Sequence, residues 1–483
     1  TLTSLWINER LESRRTLVLV PSLSLVSQTL KEWSRHCRQP FECLVVCSDE
    51  TVVNTGADPF VSSTTELGIP VTTDVAEIRT FLRRRSKRPR IVFCTYQSSD
   101  RIAAAQVART PAFDLVLADE AHRCTGATAG LFATVLAAKK IKSRRRLFIT
   151  ATPRFFTKQV LEQTEDRGHE LASMDNERHF GPVFHQLNFA EAIEKKLLTD
   201  YQVVVIGVTD QEARTLAEEA ELVRTQDGAT TNARTLAAQI GLAKAIRKYN
   251  LKKVISFHSS VAAARTFADD TDESSFSQRI AKMPRRIRPT GRFWTQHISG
   301  KTPTGHRNSL IKEFASLADK KRGLLANCAC LGEGVDVPVL DGVAFIAPKR
   351  SQVDIIQAVG RVIRKADDKD VGTIVIPLFI DDSEDADEAL SRSSFEPIWR
   401  VLCALRAHDE TLANQLDQIR LKLGGPEPRK GKIRLPDKIH VDVPRNLPAD
   451  FADAFHVRMV ETSTRQQFLP FSEARAFVHK LNL

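Results

Sequence analysis

FDLVLADEAH, residues Phe113 to His122, is the stretch whose reading decides the fold. Its first six residues, Phe113–Ala118, form a short apolar run of strand length, broken only by Asp114, and two adjacent carboxylates, Asp119 and Glu120, follow at once. A short unalternated apolar run predicts a strand covered on both faces, as in a parallel sheet. Carboxylates at the carboxyl end of such a strand sit at the sheet's ligand crevice. The pair also fits a plainer reading, an acidic strand end that caps the next helix.

The same texture extends outward. Thr16–Val20, Leu44–Cys47, Arg90–Cys94, Leu115–Ala118 and Leu147–Thr150 are short apolar runs, several separated by helical patterns. Residues 2–11 place Leu2, Leu5, Trp6 and Leu11 near helical spacing, and an amphipathic helix runs to about Trp33. After a less regular stretch, 155–198, the pattern restarts with Gln202–Val208, Lys253–Phe257, Gly323–Ala326, Gly342–Ile346 and Gly372–Ile376. Residues 269–292, acidic then basic, read as an inserted loop. Strands alternating with helices predict parallel sheets covered on both faces, here two of them in tandem. The expected organisation is α/β: one domain over 1–198, a second over 199–385, and a small, mainly helical region over 386–483, where Phe395–Leu423 reads as helix.

At 483 residues the chain is too long for one ordinary core, and 42% hydrophobic content is enough to pack several. No apolar run approaches bilayer length, so the expectation is a soluble cytoplasmic protein without a membrane partner. Eight cysteines follow neither a disulfide framework nor zinc-ligand spacing and read as buried thiols. The net charge of +11 favours a polyanionic partner. Two basic runs, Arg83–Arg88 and Lys142–Arg146, each precede an apolar segment and read as solvated loops.

Three more segments follow Asp119-Glu120-Ala121-His122 in order: Thr150-Ala151-Thr152, the run Ala326 to Pro338 (ANCACLGEGVDVP), and Gln357 to Arg364 (QAVGRVIR). Together, order and separation resemble the motor core of superfamily 2 DEAD/DEAH-box helicases, most closely the bacterial, restriction-enzyme type. The resemblance covers about residues 1–380 and implies two tandem RecA-like domains that clamp ATP and Mg²⁺ between them. Asp119 then holds Mg²⁺, and Glu120 orients or deprotonates the attacking water. His122, Thr150 and Thr152 couple the nucleotide site to domain closure. Arg361 and Arg364, three apart and expected on one helix face, act as arginine fingers beside Gln357. Gly334 and Asp336 approach the nucleotide. Nucleic-acid contacts fall to Pro21, Ser22, Thr95, Ser256, His258 and Asn327, which would grip phosphates without reading bases.

Gly-x-x-x-x-Gly-Lys-Ser/Thr, which supplies the phosphate-binding lysine, does not occur in the chain. Gly300-Lys301-Thr302 fails the pattern, because Thr295 stands where the first glycine belongs. A helix starting at Thr1-Leu2-Thr3 is what should follow such a loop. The expectation is therefore that Thr1 is its last residue and a second Mg²⁺ ligand, and that the chain as given hydrolyses ATP poorly. Leu469–Val478 resembles a short repeat of helicase-associated regions. The resemblance as a whole implies an ATP-dependent translocase or helicase on double-stranded DNA, serving restriction, phage defence or repair, with any nuclease or methyltransferase outside this segment. An RNA helicase and a non-catalytic nucleic-acid-binding scaffold are the alternatives.

Overall fold

The computed structural model describes residues 1–47, 71–107, 109–127, 131–156, 161, 171–219, 233–300, 302, 304–318, 320–328, 340–347, 351–366, 369–380, 395–423, 433–444, 447–448 and 450–464. The chain divides into two compact units, the first built mainly from Thr1–Gln186 and the second beginning at Leu187.

The first unit holds strands β1 (Arg15–Val20), β2 (Glu42–Val46), β3 (Val71–Thr72), β4 (Arg90–Thr95), β5 (Phe113–Asp119), β6 (Gly126–Ala127), β7 (Ser143–Ile149) and β8 (Leu171–Ala172). Six of them make one parallel sheet in the order β3-β2-β4-β1-β5-β7, and β6 pairs antiparallel with β8. Because successive strand residues face opposite sides, the central strands feed two cores at once. Leu17, Leu19, Val92, Cys94, Val116 and Ala118 pack on one side. Val18, Val20, Ile91, Phe93, Leu115 and Leu117 pack on the other. Each fully buried Leu, Val or Phe contributes roughly 1.5–3 kcal/mol, so two-sided burial is what makes these runs unbroken in sequence.

The second unit holds β9 (Asp200–Thr209), β10 (Lys253–Phe257), β11 (Arg292–Ser299), β12 (Lys321–Cys328), β13 (Gly342–Phe345), β14 (Val371–Ile380) and β15 (Ile439–Asp442). Their order is β11-β12-β10-β13-β14-β9-β15, with every pairing from β12 to β15 parallel. The helix Ala233–Lys248 packs its apolar side, including Ile240, Ala243 and Ile246, onto Val204, Ile206 and Val375 of the sheet. Both sheets are the parallel, helix-covered kind expected of RecA-like domains.

Four local expectations are corrected. Residues 269–292 are not simply a loop: Phe276–Lys282 is helical, capped by Ser275 and buried through Phe276, Arg279 and Ile280. The strands β11 and β15 extend the second sheet at its two edges. Phe395–Leu423 is two helices, Glu396–Arg406 and Glu410–Leu423, separated where Asp409 accepts from the Leu412 amide at 3.0 Å and starts the second one. The helix carrying Arg361 runs Gln352–Val362, so Arg364 lies beyond its end and does not share its face. The second unit also takes in the helix Phe189–Glu194, whose first amide donates to the His408 carbonyl at 2.9 Å, so the contacts divide the chain before residue 198.

Candidate nucleotide site and strand-end loops

In the first unit the site grows from the carboxyl ends of adjacent strands. Asp119 of β5 is in register with Ile149 of β7, so Glu120 and Thr150 each stand one residue past the same row. Glu120 takes a left-handed backbone conformation, φ 50° and ψ 46°. A residue with a β-carbon rarely adopts it, and such strain persists only where its surroundings enforce it. Its amide donates to Asp119 Oδ1 at 3.0 Å, and Tyr96, buried at the end of β4, donates its hydroxyl to the Asp119 carbonyl at 2.6 Å. Burial pushes the Tyr96 phenol well above its usual pKa, so it stays a donor.

His122 is only 5% exposed, and three groups converge on its Nδ1. Thr150 Oγ1 lies at 3.0 Å, Thr152 Oγ1 at 3.2 Å and Glu120 Oε2 at 3.3 Å. Thr150 Oγ1 also accepts from the Thr152 amide at 3.0 Å, so the turn after β7 is closed by the same hydroxyl that meets the imidazole. One proton on one ring nitrogen cannot satisfy three neighbours together. The Glu120 carboxylate and both threonine hydroxyls therefore compete for a single ring nitrogen, and among the described residues Glu120 Oε2 has no hydrogen-bond partner.

Asp119 and Glu120 are half-buried carboxylates side by side. Their oxygen donors suit Mg²⁺, a hard cation that takes one or two carboxylates plus phosphate oxygens and water rather than a complete protein cage. Among the described residues, no group of three or more His, Cys, Asp or Glu side chains gathers to hold a metal.

Thr1 precedes the helix Leu2–Arg10; its carbonyl accepts from Ser4 Oγ at 2.6 Å and from Trp33 Nε1 at 3.1 Å. Pro21 and Ser22 follow β1, and Ser22 Oγ caps the helix Leu23–His36 by accepting from the Leu25 amide at 3.4 Å. Thr95, in register with Val20, gives its hydroxyl to Ser98 at 3.3 Å. Gln97 donates to the Pro21 carbonyl at 3.5 Å. The structure thus brings Pro21, Ser22 and Thr95 together at neighbouring strand ends, with the side chains of Ser22 and Thr95 buried and engaged internally.

In the second unit Ser256, His258 and Asn327 also come together, and they come together buried. Ser256 Oγ lies 2.9 Å from His258 Nε2, and the His258 amide donates to the Asn327 carbonyl at 3.0 Å. Ser256 and Asn327 are 0% exposed and His258 6%. Burial pushes His258 down to about 3, so its imidazole is neutral. These side chains brace the ends of β10 and β12 and present almost no surface. Gln357 and Arg361 stand four apart on the helix Gln352–Val362 and so share one face, with Arg361 buried. Arg364 is exposed, its backbone bridged to Leu198. Lys369 Nζ holds the helix end by donating to the Val362 carbonyl at 2.8 Å and the Leu340 carbonyl at 3.2 Å. Gly334 and Asp336 lie outside the described residues. Tyr96 and Lys369 escape sequence reasoning; a lone aromatic or lysine after a strand or helix carries no signal of the carbonyl it will reach.

A helix-covered parallel sheet with a carboxylate pair at a strand end and a His-Thr link to the next strand is the architecture of a RecA-like domain. The family described as "Type III restriction enzyme, res subunit" matches residues 1–155, and "Helicase conserved C-terminal domain" matches residues 242–366. The probable helicase A859L of African swine fever virus is 28% identical over 370 residues, 75% of this chain and 36% of its own length. The structure titled "ATP-dependent Type ISP restriction-modification enzyme LlaBIII bound to DNA" aligns at 26% identity and a TM-score of 0.78, over 97% of this chain and 31% of that one. A nuclease-deletion mutant of the Type ISP enzyme LlaGI, at 24% identity and a TM-score of 0.62, covers 99% of this chain and 30% of its own and shares the fold. The chain is thus similar to superfamily 2 helicases of the restriction-enzyme type, and it spans about a third of the length of these relatives. Among the described residues, no helix is long and apolar enough to cross a membrane.

Proposed function

We propose that the chain is the motor segment of an ATP-driven translocase or helicase that works on double-stranded DNA. The observation that carries the reading is the convergence of Glu120, Thr150 and Thr152 on His122 Nδ1. A carboxylate placed to handle a water needs a relay that reports its state to the following strand, and this contact supplies one. Mg²⁺ held at Asp119 would neutralise charge on the β- and γ-phosphates. Glu120 orients the attacking water and accepts its proton. Arg361 and Arg364 supply guanidinium groups for the departing γ-phosphate, with Gln357 beside them, and Gly334 and Asp336 approach the nucleotide. The buried cluster of Ser256, His258 and Asn327 holds the strand-end loops in shape, and the loops after β1 and β4 grip phosphates mainly through backbone N–H groups. Duplex DNA is preferred as the track because the LlaBIII structure, the more similar of the two solved relatives, is described as bound to DNA. A role in restriction or defence fits the same likeness.

The test is ATP hydrolysis by the full-length protein with no nucleic acid, duplex DNA or duplex RNA. Duplex DNA is expected to stimulate turnover most, and Glu120→Gln to lower the stimulated rate by about 10²-fold or more, the usual contribution of a positioned base. Equal stimulation by RNA, or a Glu120→Gln protein that turns over normally, overturns the reading.

A further inference from the structure

Two basic runs that sequence alone reads as separate solvated loops meet on one face of the first unit. Residues 83–88 (RRRSKR) lead into β4, and residues 139–146 (KKIKSRRR) lead into and begin β7. Strand register brings them together: Arg15 pairs with Arg90, Thr16 with Leu115, and Leu115 with Arg145, so the strands begin in one row. The loops are also stitched across the row. Arg14 donates to the Ser86 carbonyl at 3.4 Å, and the Phe113 amide donates to the Lys142 carbonyl at 3.0 Å.

Two carboxylates along this row, Glu42 and Asp114, are already engaged. Glu42 takes Arg84 at 2.7 Å and Ser86 Oγ at 2.9 Å. Asp114 takes the amides of Arg14 and Arg15 at 3.0 and 2.9 Å and sits 3.6 Å from Arg144. Arg85, Lys87, Lys140 and Arg145 are exposed. The face is the amino-terminal end of the sheet, about 17–20 Å along the strands from the carboxyl ends that carry Pro21, Thr95, Asp119 and Thr150.

We propose that this amino-end face is a second nucleic-acid site, which binds the phosphate backbone of duplex DNA without reading sequence. The row from β2 to β7 is five strands wide, about 19 Å at ~4.8 Å per strand. That length of duplex carries about eleven phosphate charges on its two strands, and those on the side facing the protein would be met by exposed cations such as Arg85, Lys87, Lys140 and Arg145. Neither run contains an aromatic residue, so neither offers a platform for unstacked bases. Lysine and arginine on flexible loops neutralise phosphates and release counterions. The site lies behind the motor loops and holds DNA outside the track on which they act. The choice of duplex DNA as occupant rests on the motor reading above; the charge and its contiguity do not.

The experiment measures binding of the full-length protein to a labelled random-sequence duplex across a range of NaCl, by fluorescence anisotropy. The variant is Arg85→Glu/Lys87→Glu/Lys140→Glu/Arg145→Glu, whose four side chains lie outside the motor motifs. A matching quadruple Gln variant guards against misfolding, and thermal unfolding is followed for both. At low salt the charge-reversed protein is expected to bind at least tenfold more weakly. Its plot of log affinity against log salt is expected to be shallower by about three, as for the loss of three to four phosphate contacts. ATP hydrolysis without DNA is expected to be unchanged. Affinity and salt slope equal to wild type in a folded variant overturn the proposal and leave the motor reading standing. A wild-type protein that binds no duplex at any salt overturns the motor reading itself, and with it the choice of ligand.

Discussion

His122 Nδ1 lies 3.0 Å from Thr150 Oγ1, and this contact joins the end of β5 to the end of β7. The hydroxyl has two duties, since it also accepts the Thr152 amide. The turn after β7 and the buried imidazole therefore share one atom.

Thr150→Val keeps the shape of the side chain and deletes that atom. The Thr152 amide and the imidazole each lose a partner, and a buried polar group left unsatisfied costs about 1–3 kcal/mol. Urea denaturation followed by circular dichroism is expected to show a loss in that range. In the full-length protein the stimulation of ATP hydrolysis by DNA is expected to fall more than the basal rate. A valine protein with wild-type stability and stimulation would mean that the contact carries neither duty.

Two glycines near the Arg361 helix make opposite predictions. A β-carbon on Gly372 would meet the Val362 carbonyl oxygen at 2.5 Å, a clash with backbone at the helix end. Gly372→Ala is expected to destabilise by about 1–3 kcal/mol or more and to displace Arg361. Gly360, within the helix, has nothing within 4 Å of such an atom. Gly360→Ala is expected to be neutral or stabilising by up to ~1 kcal/mol. Melting temperatures of the two variants decide the matter; a tolerated Gly372→Ala would show that the helix end is free to shift.

His258 predicts a pH dependence with a definite sign. Burial holds its folded pKa at about 3, below the unfolded value of about 6.5. Between those values the unfolded chain binds the extra proton, so stability rises with pH. This contribution is complete above about pH 6.5 and is lost as pH falls toward 3, by up to ~1.4 kcal/mol per unit. Wild type should therefore lose more stability between pH 7 and pH 5 than His258→Asn, measured by urea midpoints. Parallel losses would contradict a neutral buried imidazole.

Asp409 is 0% exposed and accepts the Tyr201 hydroxyl at 2.8 Å, with Lys438 Nζ at 3.3 Å. Lys438 also reaches Asp200 at 2.7 Å, so one cluster ties the helices after residue 395 to the first residues of β9. Asp409→Ala leaves the Tyr201 hydroxyl and the Leu412 amide without this acceptor and leaves Lys438 to Asp200, a loss of about 1–3 kcal/mol for each buried polar group left unsatisfied. Chemical denaturation is expected to show that loss, and limited proteolysis to cut the C-terminal helices first. Equal protease resistance would mean that apolar packing alone holds them.

The central strands of the two sheets were legible because they are buried on both faces. Val18 and Leu19 serve different cores yet look alike in sequence. β11 (RFWTQHIS) and β15 (IHVD) were not legible, since edge strands alternate polar with apolar residues and β15 has only four. The helix Phe276–Lys282 hid in a charged stretch, although Ser275 and the spacing of Phe276 and Ile280 held a usable signal. The motif residues around His122 each follow an apolar run, and the register of β5 with β7 is what brings them together. The mutual burial of Ser256, His258 and Asn327 was not visible, for their contacts join strand ends seventy residues apart. Arg364 was placed on the helix because no Gly or Pro marks the stop; the helix end is held instead by Lys369.

The second sheet has an order of assembly written into its chain. The first sheet has all its strands once Ile149 has been made. β9 is synthesised early in the second unit, yet its neighbours are β14 and β15, and the last of these ends at Asp442. At ribosomal speeds of ~5–20 residues per second, the long apolar edge of β9 waits on the order of 10–50 s for both partners. Through that interval the nascent chain carries an unpaired strand of the kind that chaperones shield, while the six-stranded sheet of the first unit can already be formed.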